Sequence, residues 1–261
     1  MLRALYTSST GMYAQQLNVD NIAHNISNVN TTGYKKSRIE FQDLLYQNLH
    51  RPVVNEDMNQ PAGLWVGLGV KPAATQTIFS QGNLIPTDNP LDVAIEGPAF
   101  FRVLDANGDD YLYTRDGSLK TDSEGYLVTS DGYYLEGPDA IEPEAYEVTV
   151  GTDGTVTYMI PGEEEALEAG QLELARFVNP AGLEKVGRNL YRPTPSSGEA
   201  EDWDPDDDTT VSLHSGYLET SNIQIVEEMV NLITAQRAYE INSKVIQSSD
   251  EMLSTATNLR R

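Results

Sequence analysis

The stretch that decides the fold is IVEEMVNLITAQRAYEINSKVIQSSDEML, residues 225–253. One large apolar residue recurs in it at every seventh position: Ile225, Leu232, Tyr239, Ile246 and Leu253. A repeat of seven keeps these side chains on one face of a helix and forms a seam for another helix. The stretch therefore predicts a long amphipathic helix, beginning near Ser221 or Asn222 as its N-cap.

The beginning of the chain repeats this pattern. Leu5, Met12, Val19 and Ile26 are again seven residues apart, which predicts a helix from about residue 2 to about residue 26. Gly11 and four asparagines between residues 18 and 28 are poor helix formers, each costing up to about 1 kcal/mol relative to alanine. Alone, this helix should be marginal, so we expect it to become ordered by packing in a complex.

The polar stretch 25–35 should cap the first helix and lead into an extended segment, because asparagine and glycine tolerate a positive φ. The next apolar run, 63–70, lies between Pro61 and Pro72 and has glycine at positions 63, 67 and 69. A dinucleotide-binding loop would need a third glycine where Pro72 stands. We interpret the run as a glycine-spaced strand or a tight loop.

Residues 91–191 alternate short apolar runs with turn dipeptides: Asn107-Gly108, Asp116-Gly117, Glu124-Gly125, Asp131-Gly132 and Asp153-Gly154. Segments such as 111–114 and 147–150 have the composition of hairpin strands. This part predicts a compact antiparallel β domain. Residues 194–210 are rich in proline, serine, glycine and acid and predict an exposed loop or linker. The predicted fold class is α+β, with long terminal helices forming a coiled coil around nested β-rich middle domains.

Composition restricts the function. The net charge is −23, of which residues 51–217 carry 31 acidic against nine basic side chains, while both ends are nearly neutral. Such an anionic middle argues against nucleic acid and anionic membranes as partners. No stretch reaches the roughly 18 apolar residues of a membrane span, and the N-terminus lacks a signal-peptide pattern. We expect a soluble protein that leaves the cytoplasm only without the ordinary signal.

The sequence contains no convincing catalytic or metal site. Cysteine is absent, and His24, His50 and His214 are far apart in unlike contexts. The nucleophile elbow and the phosphate-binding loop are missing. Residues 105–109 mimic the start of a calcium loop, but the glycine falls at 108 instead of 110 and the distal glutamate is missing, so a plain turn is expected. The predictions are no enzyme, no cofactor and no metal.

The stretch 25–35 resembles the N-terminal signature of the bacterial flagellar rod and hook proteins. The residues that carry this resemblance are Asn25, Asn28, Asn30, Thr31, Thr32, Gly33, Tyr34 and Lys35. Blocks 81–101 and 236–253 are similar to the same family, so the resemblance spans the chain. Within it, residues 1–6, the run 66–70 and the chain length look most like the members that build the distal rod. Residues 24–27 depart from the family, and the acidic loop 196–210 is peculiar to this chain.

The resemblance implies a structural subunit of the distal rod. Such a subunit polymerises into a helical tube that crosses the periplasm and transmits motor torque to the hook. The domains implied are a terminal coiled coil (1–30 with 222–261) lining an axial channel, a connecting extended domain (31–90 with 192–221), and an outer β-rich domain (91–191). A paralogous proximal rod or hook subunit is the nearest alternative. An acidic extracellular hydrolase and a soluble binding module are more distant ones.

The implied partners are further copies of the chain, the proximal rod proteins, the hook protein, the rod cap and the surrounding ring proteins. Export without a cleaved signal peptide to the flagellar basal body follows from the same resemblance, as does the absence of membrane insertion. We predict that Leu5, Met12, Val19 and Ile26 pack against the heptad residues of the C-terminal helix. Four further residues widen that stripe toward neighbouring subunits: Ala238, Val245, Met252 and Leu259. Segment 48–70 is either a contact that stiffens the rod or an ordinary surface loop.

Overall fold

The computed structural model describes residues 2–50, 53–55, 58–60, 62–104, 111–145, 147–161, 166–205 and 210–258. The chain forms two compact units. Unit 1 combines residues 1–27, 37–76 and 224–261, and unit 2 combines 28–36 with 77–223. The chain therefore passes repeatedly between the units, and both contain segments that are distant in sequence.

Unit 1 contains both helices, α1 (Leu2–Ser27) and α2 (Ile225–Asn258), which confirms that the two ends of the chain are helical. The helices contact each other. Gly11 lies against Asn242, and Val19 shares a groove with Gln236 and Tyr239. Since residue numbers rise along α1 as they fall along α2, the helices run antiparallel.

Helix α2 begins three residues later than the predicted Asn222 cap, at Ile225. The Asn222 side chain is used in unit 2 instead. Its Oδ1 accepts from the Lys36 backbone N–H at 2.8 Å, and its Nδ2 donates to the Ile78 carbonyl oxygen at 2.8 Å. An amide that bridges two other segments cannot also cap a helix, so the prediction of the start was wrong by one turn.

Between the helices, unit 1 also contains a long two-stranded ribbon. Its strands are β1 (Ser37–Asp43), β2 (Tyr46–His50), β3 (Val53–Asn55), β4 (Met58–Gln60), β5 (Leu64–Gly67) and β6 (Val70–Thr77). They pair from the outside inward, β1 with β6, β2 with β5 and β3 with β4. The glycine-spaced run thus forms strand β5 and the start of β6, as predicted.

Unit 2 is built of short strands and one 3₁₀ turn, Pro180–Gly182. The strands are β7 (Leu84–Pro86), β8 (Val93–Glu96), β9 (Ala99–Leu104), β10 (Tyr111–Thr114), β11 (Lys120–Thr121), β12 (Leu127–Val128), β13 (Tyr134–Leu135), β14 (Glu147–Val150), β15 (Thr155–Met159), β16 (Leu167–Gln171), β17 (Leu174–Arg176), β18 (Glu184–Gly187), β19 (Leu190–Arg192), β20 (Glu201–Asp202), β21 (Ser212–Ser215) and β22 (Tyr217–Glu219). Both predicted hairpin strands, β10 and β14, are present.

The main sheet of unit 2 has nine strands. Seven follow the order β11-β12-β13-β9-β10-β19-β18, while β17 pairs with β9 and β20 pairs with β17. A three-stranded sheet, β14-β15-β16, and the pairs β8-β21 and β7-β22 complete the unit. The strands of these sheets pair antiparallel, which confirms the predicted antiparallel β structure.

Strand β9 separates two hydrophobic clusters. Phe101 and Val103 point into the main core, and Phe100, on the opposite side of the strand, joins Phe177 and Tyr191 in a smaller cluster. The turn between β14 and β15 has the predicted glycine, Gly154, at a φ of 86°. The Asn107-Gly108 turn and the calcium-like positions 105–109 lie outside the described residues.

Candidate functional site

The two helices bury mainly small and polar side chains within unit 1. On α1 these are Ser8, Ala14, Ile22 and Asn25, and on α2 they are Glu228, Ala235 and Ser249. At Gly11 the approach is close, since a Cβ there would lie 3.0 Å from Asn242 Nδ2. An amphipathic helix normally buries its largest apolar residues, so this burial pattern is unusual.

The predicted seam residues are less buried than these side chains. Leu5, Met12, Val19 and Ile26 are half-buried, as are Leu232, Ile246 and Leu253. Ile225 and Tyr239 are exposed at 47% and 41%. The structure brings Val19 and Tyr239 together, in a groove that Gln16, Gln236 and Glu240 complete. Of the residues predicted to widen the stripe, Ala238 is half-buried, Val245 and Met252 are exposed, and Leu259 lies outside the described residues.

A second apolar face of α2 is open to solvent. Its most exposed members are Val226 at 76%, Val230 at 57%, Ile233 at 48% and Ile241 at 61%. Sequence reasoning followed the heptad series that begin at Ile225 and Ala238 and missed this stripe. The sequence did contain a signal for it, because these four residues are separated by four, three and eight positions, which places them on one side of a helix. Leu2, Tyr6 and Tyr13 of α1 are exposed as well.

The ribbon of unit 1 also exposes large apolar side chains. Leu45 is 85% exposed and Trp65 is 60% exposed, and Tyr46, Leu49 and Leu64 are exposed between them. Every residue of strand β2 is exposed. Large apolar side chains exposed close together in sequence are typical of interaction surfaces.

The family signature divides between the two units. In unit 1, Asn25 is buried and its amide makes two hydrogen bonds with the backbone of Ser37. Nδ2 donates to the Ser37 carbonyl oxygen at 2.9 Å, and Oδ1 accepts from the Ser37 N–H at 3.0 Å. The amide thus fastens the last turn of α1 to the first residue of β1.

The remaining signature residues turn the chain into unit 2. Thr31 donates through its hydroxyl to Asn28 Oδ1 at 3.2 Å, and Thr32 donates to Asp116 Oδ1 at 2.7 Å. Asn30 is exposed. Gly33 has a φ of 64°, and a Cβ there would lie 2.6 Å from the Arg115 carbonyl carbon. Glycine is therefore required at this position, because any other residue would be strained at this φ and its Cβ would clash with the Arg115 backbone.

Tyr34 and Lys35 are buried, and Lys35 ends in an ionic cluster. Its Nζ lies 2.5 Å from Glu219 Oε1, and the Arg115 guanidinium lies 3.2 Å from Glu219 Oε2. All three side chains are at most 2% exposed. Glu219 Oε1 also accepts from the Gly82 N–H at 2.7 Å, and Lys35 Nζ donates to the Ser80 carbonyl oxygen at 2.8 Å. Two buried cations thus share one carboxylate.

Burial of this cluster shifts the pKa values of its two cations and of a neighbouring tyrosine. Burial, and next the nearby Arg115, lower the pKa of Lys35 to about 8, although Glu219 opposes the change. Burial also lowers the pKa of Arg115, again opposed by Glu219. Burial raises the pKa of the neighbouring Tyr191. Sequence reasoning named Lys35 but missed Arg115 and Glu219, because no spacing rule connects single charges so far apart.

The contacts of this cluster hold separate segments of unit 2 together. Within the part of the chain that the structure describes, no three His, Cys, Asp or Glu side chains converge as metal ligands would. Neither helix, over its described residues, is long and apolar enough to cross a bilayer.

Comparison with known proteins identifies the family. The model described as "Flagella basal body rod protein" matches residues 5–35. The model of the flagellar hook protein FlgE/F/G D1 domain matches 94–158, and that of the flagellar basal body rod FlgEFG protein C-terminal matches 214–259. The flagellar basal-body rod protein FlgG of Borreliella burgdorferi is 50% identical over 100% of both chains. The chain belongs to the flagellar basal-body rod protein family.

Further relatives with the same name are similar over nearly their whole length. The FlgG protein of Agrobacterium fabrum is 46% identical over 97% of each chain, and that of Bacillus subtilis is 38% identical over the full length of both. The ionic cluster of this flagellar rod protein takes one residue from each matched region. Lys35 lies in the first, Arg115 in the second and Glu219 in the third.

Proposed function

We propose that this chain is the structural subunit of the flagellar distal rod. In this role it polymerises into a helical tube that crosses the periplasm and transmits motor torque to the hook. Support comes from the full-length similarity to relatives named flagellar basal-body rod protein FlgG. The subunit acts through surfaces and stiffness, and it neither catalyses a reaction nor binds a cofactor.

The observation that carries the proposal is the exposed apolar face of α2. Val226, Val230, Ile233 and Ile241 are each about half or more exposed, while the same helix buries Ala235 and Ser249. A monomer in its final state would do the reverse, because burial of an apolar side chain contributes about 1.5 to 3 kcal/mol. Further copies of the chain supply the missing contacts. A repeated contact between different faces does not close on itself and yields a filament.

The predicted seam residues remain part of this proposal. Val19 and Tyr239 already line one groove in a single chain. Other seam residues on the two helices are half-buried: Leu5, Met12, Leu232, Ile246 and Leu253. They would extend the contact from the pair to its neighbours. We also propose that the chain divides into a terminal coiled coil, a connecting domain and an outer β domain.

The ribbon supplies a second contact in the proposed rod. Leu45 and Trp65 carry apolar surface out of unit 1 on paired strands. Because two-stranded ribbons are weak alone, a neighbour that covers this face would also hold it rigid. The described part of segment 48–70 is thus proposed as a stiffening contact.

Truncation tests the assembly role. A chain ending at Ile223 loses α2 but keeps every residue of unit 2. We expect no filaments by electron microscopy and an intact cooperative thermal transition for unit 2. Filament formation by the truncated chain would refute assembly through α2. Loss of the transition would refute the nested arrangement.

The place within the flagellum needs a separate experiment. The "Flagellar hook-basal body complex protein FlhP" of Bacillus subtilis is 30% identical over the full length of both chains, so a proximal rod or hook position is the alternative. The remaining proposed partners are the proximal rod proteins, the hook protein, the rod cap and the ring proteins. Labelling the subunit in isolated basal bodies distinguishes these positions. Detection of the subunit outside the distal rod would overturn the assignment.

A further inference from the structure

Unit 2 carries a cleft that the assembly role does not use. Its volume is about 450 Å³, and Tyr126, Tyr134, Leu104 and Glu124 are among the residues that line it. Val103, Leu127 and Leu135 point into the main core. Side chains alternate along a strand, so their neighbours Leu104 and Tyr134 lie on the opposite face of the nine-stranded sheet. Tyr134 and Leu104 are register partners there.

Two tyrosine rings form a corner of this cleft. The ring centroids of Tyr126 and Tyr134 are 6.0 Å apart, and the planes meet at 88°. The residues are 41% and 39% exposed, so the rings are open to solvent. Aromatic rings that enclose a corner present their negative faces to a cation, as in aromatic cages.

The rim of the cleft is negatively charged, and its charge is only partly neutralised. Glu136 and Glu173 lie near the Arg102 guanidinium, at 3.7 Å and 2.8 Å. Glu124 and Asp139, by contrast, have no cationic partner among the described residues. The surrounding stretch, 120–145, contains seven acidic residues and one basic residue. That residue, Lys120, is on the same face of the sheet, in register with Val128, which pairs with Tyr134.

We propose that this cleft is a docking site for a lysine- or arginine-bearing segment of a partner protein. The cationic head lies in the corner between Tyr126 and Tyr134, and the carboxylates of Glu124 and Asp139 accept its hydrogen bonds. Tyrosine rings alone would also suit a sugar. The uncompensated carboxylates on the rim favour a cation. The site lies wholly within unit 2, so the proposal is independent of polymerisation through the helices.

The test uses the full chain, dilute enough to be monomeric, with hexa-arginine and hexalysine amides as probes. Titration is followed by calorimetry and by NMR of the tyrosine side chains. The variants Tyr126→Leu with Tyr134→Leu, and Glu124→Gln with Asp139→Asn, should each weaken binding about tenfold. All four side chains are surface residues, and unchanged thermal transitions verify the fold.

Matched controls make the test specific. Glu147→Gln with Glu168→Gln removes the same charge from the three-stranded sheet, and Tyr217→Leu removes another exposed tyrosine. Both should change binding less than about twofold, since they lie outside the cleft. Equal losses in the control and cleft variants would show general attraction to an acidic protein and overturn the proposal. So would binding of chitooligosaccharides in place of the peptides, or cleft signals that shift with protein concentration alone.

Discussion

Lys35 and Glu219 are 184 positions apart in the chain, yet their side chains form a 2.5 Å salt bridge that is fully buried. Arg115 completes the cluster from the other side of Glu219. A buried carboxylate shared by two cations is the most sensitive point of unit 2, because its loss leaves like charges facing each other. The cluster also joins the three regions that the family models match.

Removing the carboxylate should therefore lower the free energy of unfolding by more than removing one of the two cations. We expect Glu219→Gln to lower the free energy of unfolding by about 3 to 5 kcal/mol, since Lys35 and Arg115 then lie buried without a counter-charge. Lys35→Met leaves Arg115 and the Gly82 N–H on Glu219 and should cost clearly less. Urea unfolding of both variants measures the difference, and the opposite ranking would contradict the charge argument.

A methyl group at Gly33 should be far more harmful than one at Gly132. Both glycines have positive φ angles, 64° and 84°. A Cβ at Gly33 meets the Arg115 backbone, whereas one at Gly132 meets nothing within 4 Å. Gly132→Ala should cost about 1 kcal/mol from backbone strain alone, and Gly33→Ala several times as much. Thermal unfolding compares them, and similar melting temperatures would argue against the tight crossing at Gly33.

Stability should rise with pH in the mildly alkaline range. Burial lowers the pKa values of Lys35 and Lys185 to about 8, below their ordinary value of 10.5. Between these values the unfolded chain keeps protons that the folded chain has lost, so the free energy of unfolding increases from about pH 8 upward. Above about pH 10 the raised pKa of Tyr191 acts in the opposite direction.

Urea unfolding at intervals from pH 7 to pH 10 measures this dependence. Lys35→Met should reduce the slope, and the double change Lys35→Met with Lys185→Met should nearly remove it. An unaltered slope in the double variant would assign the dependence to other groups.

A charge on the open face of α2 should block assembly without unfolding the monomer. Ile241 is 61% exposed, so Ile241→Lys loses no core packing. In the polymer the same lysine would be buried against a neighbour at a cost of several kcal/mol. Sedimentation should show monomers only. Thr149→Lys, on an exposed polar position of strand β14 in unit 2, is the control, and it should assemble as the wild type does.

The dilute monomer should contain less helix than the polymer. Helix α1 has Gly11 and several asparagines, and its buried residues include Ser8 and Asn25. Such a helix gains most of its stability from packing. Circular dichroism at 222 nm, recorded before and after polymerisation, measures the gain. Equal helix content per residue in the two states would show that the arms are ordered before assembly.

Local pattern was sufficient to place the elements whose signal, a helical period or a turn dipeptide, lies within a short stretch of sequence. Helix α1 lies where the repeat from Leu5 to Ile26 places it, and the turn at Gly154 lies where Asp-Gly predicts one. Helix α2 begins later than predicted because the partners of Asn222 are Lys36 and Ile78, far away in the chain. No window around residue 222 contains that information.

The sequence by itself determined the helical ends, the antiparallel β middle, the acidic centre and the family, since these depend on period, turn chemistry, composition and order. The tertiary structure alone decided which helix faces are covered and which charges meet. Ser249 is buried while Ile241 is exposed, against their hydrophobicity. Lys35, Arg115 and Glu219 form one cluster because the chain passes through unit 2 in separate segments. Burial and long-range pairing are properties of the packed chain, and no local pattern encodes them.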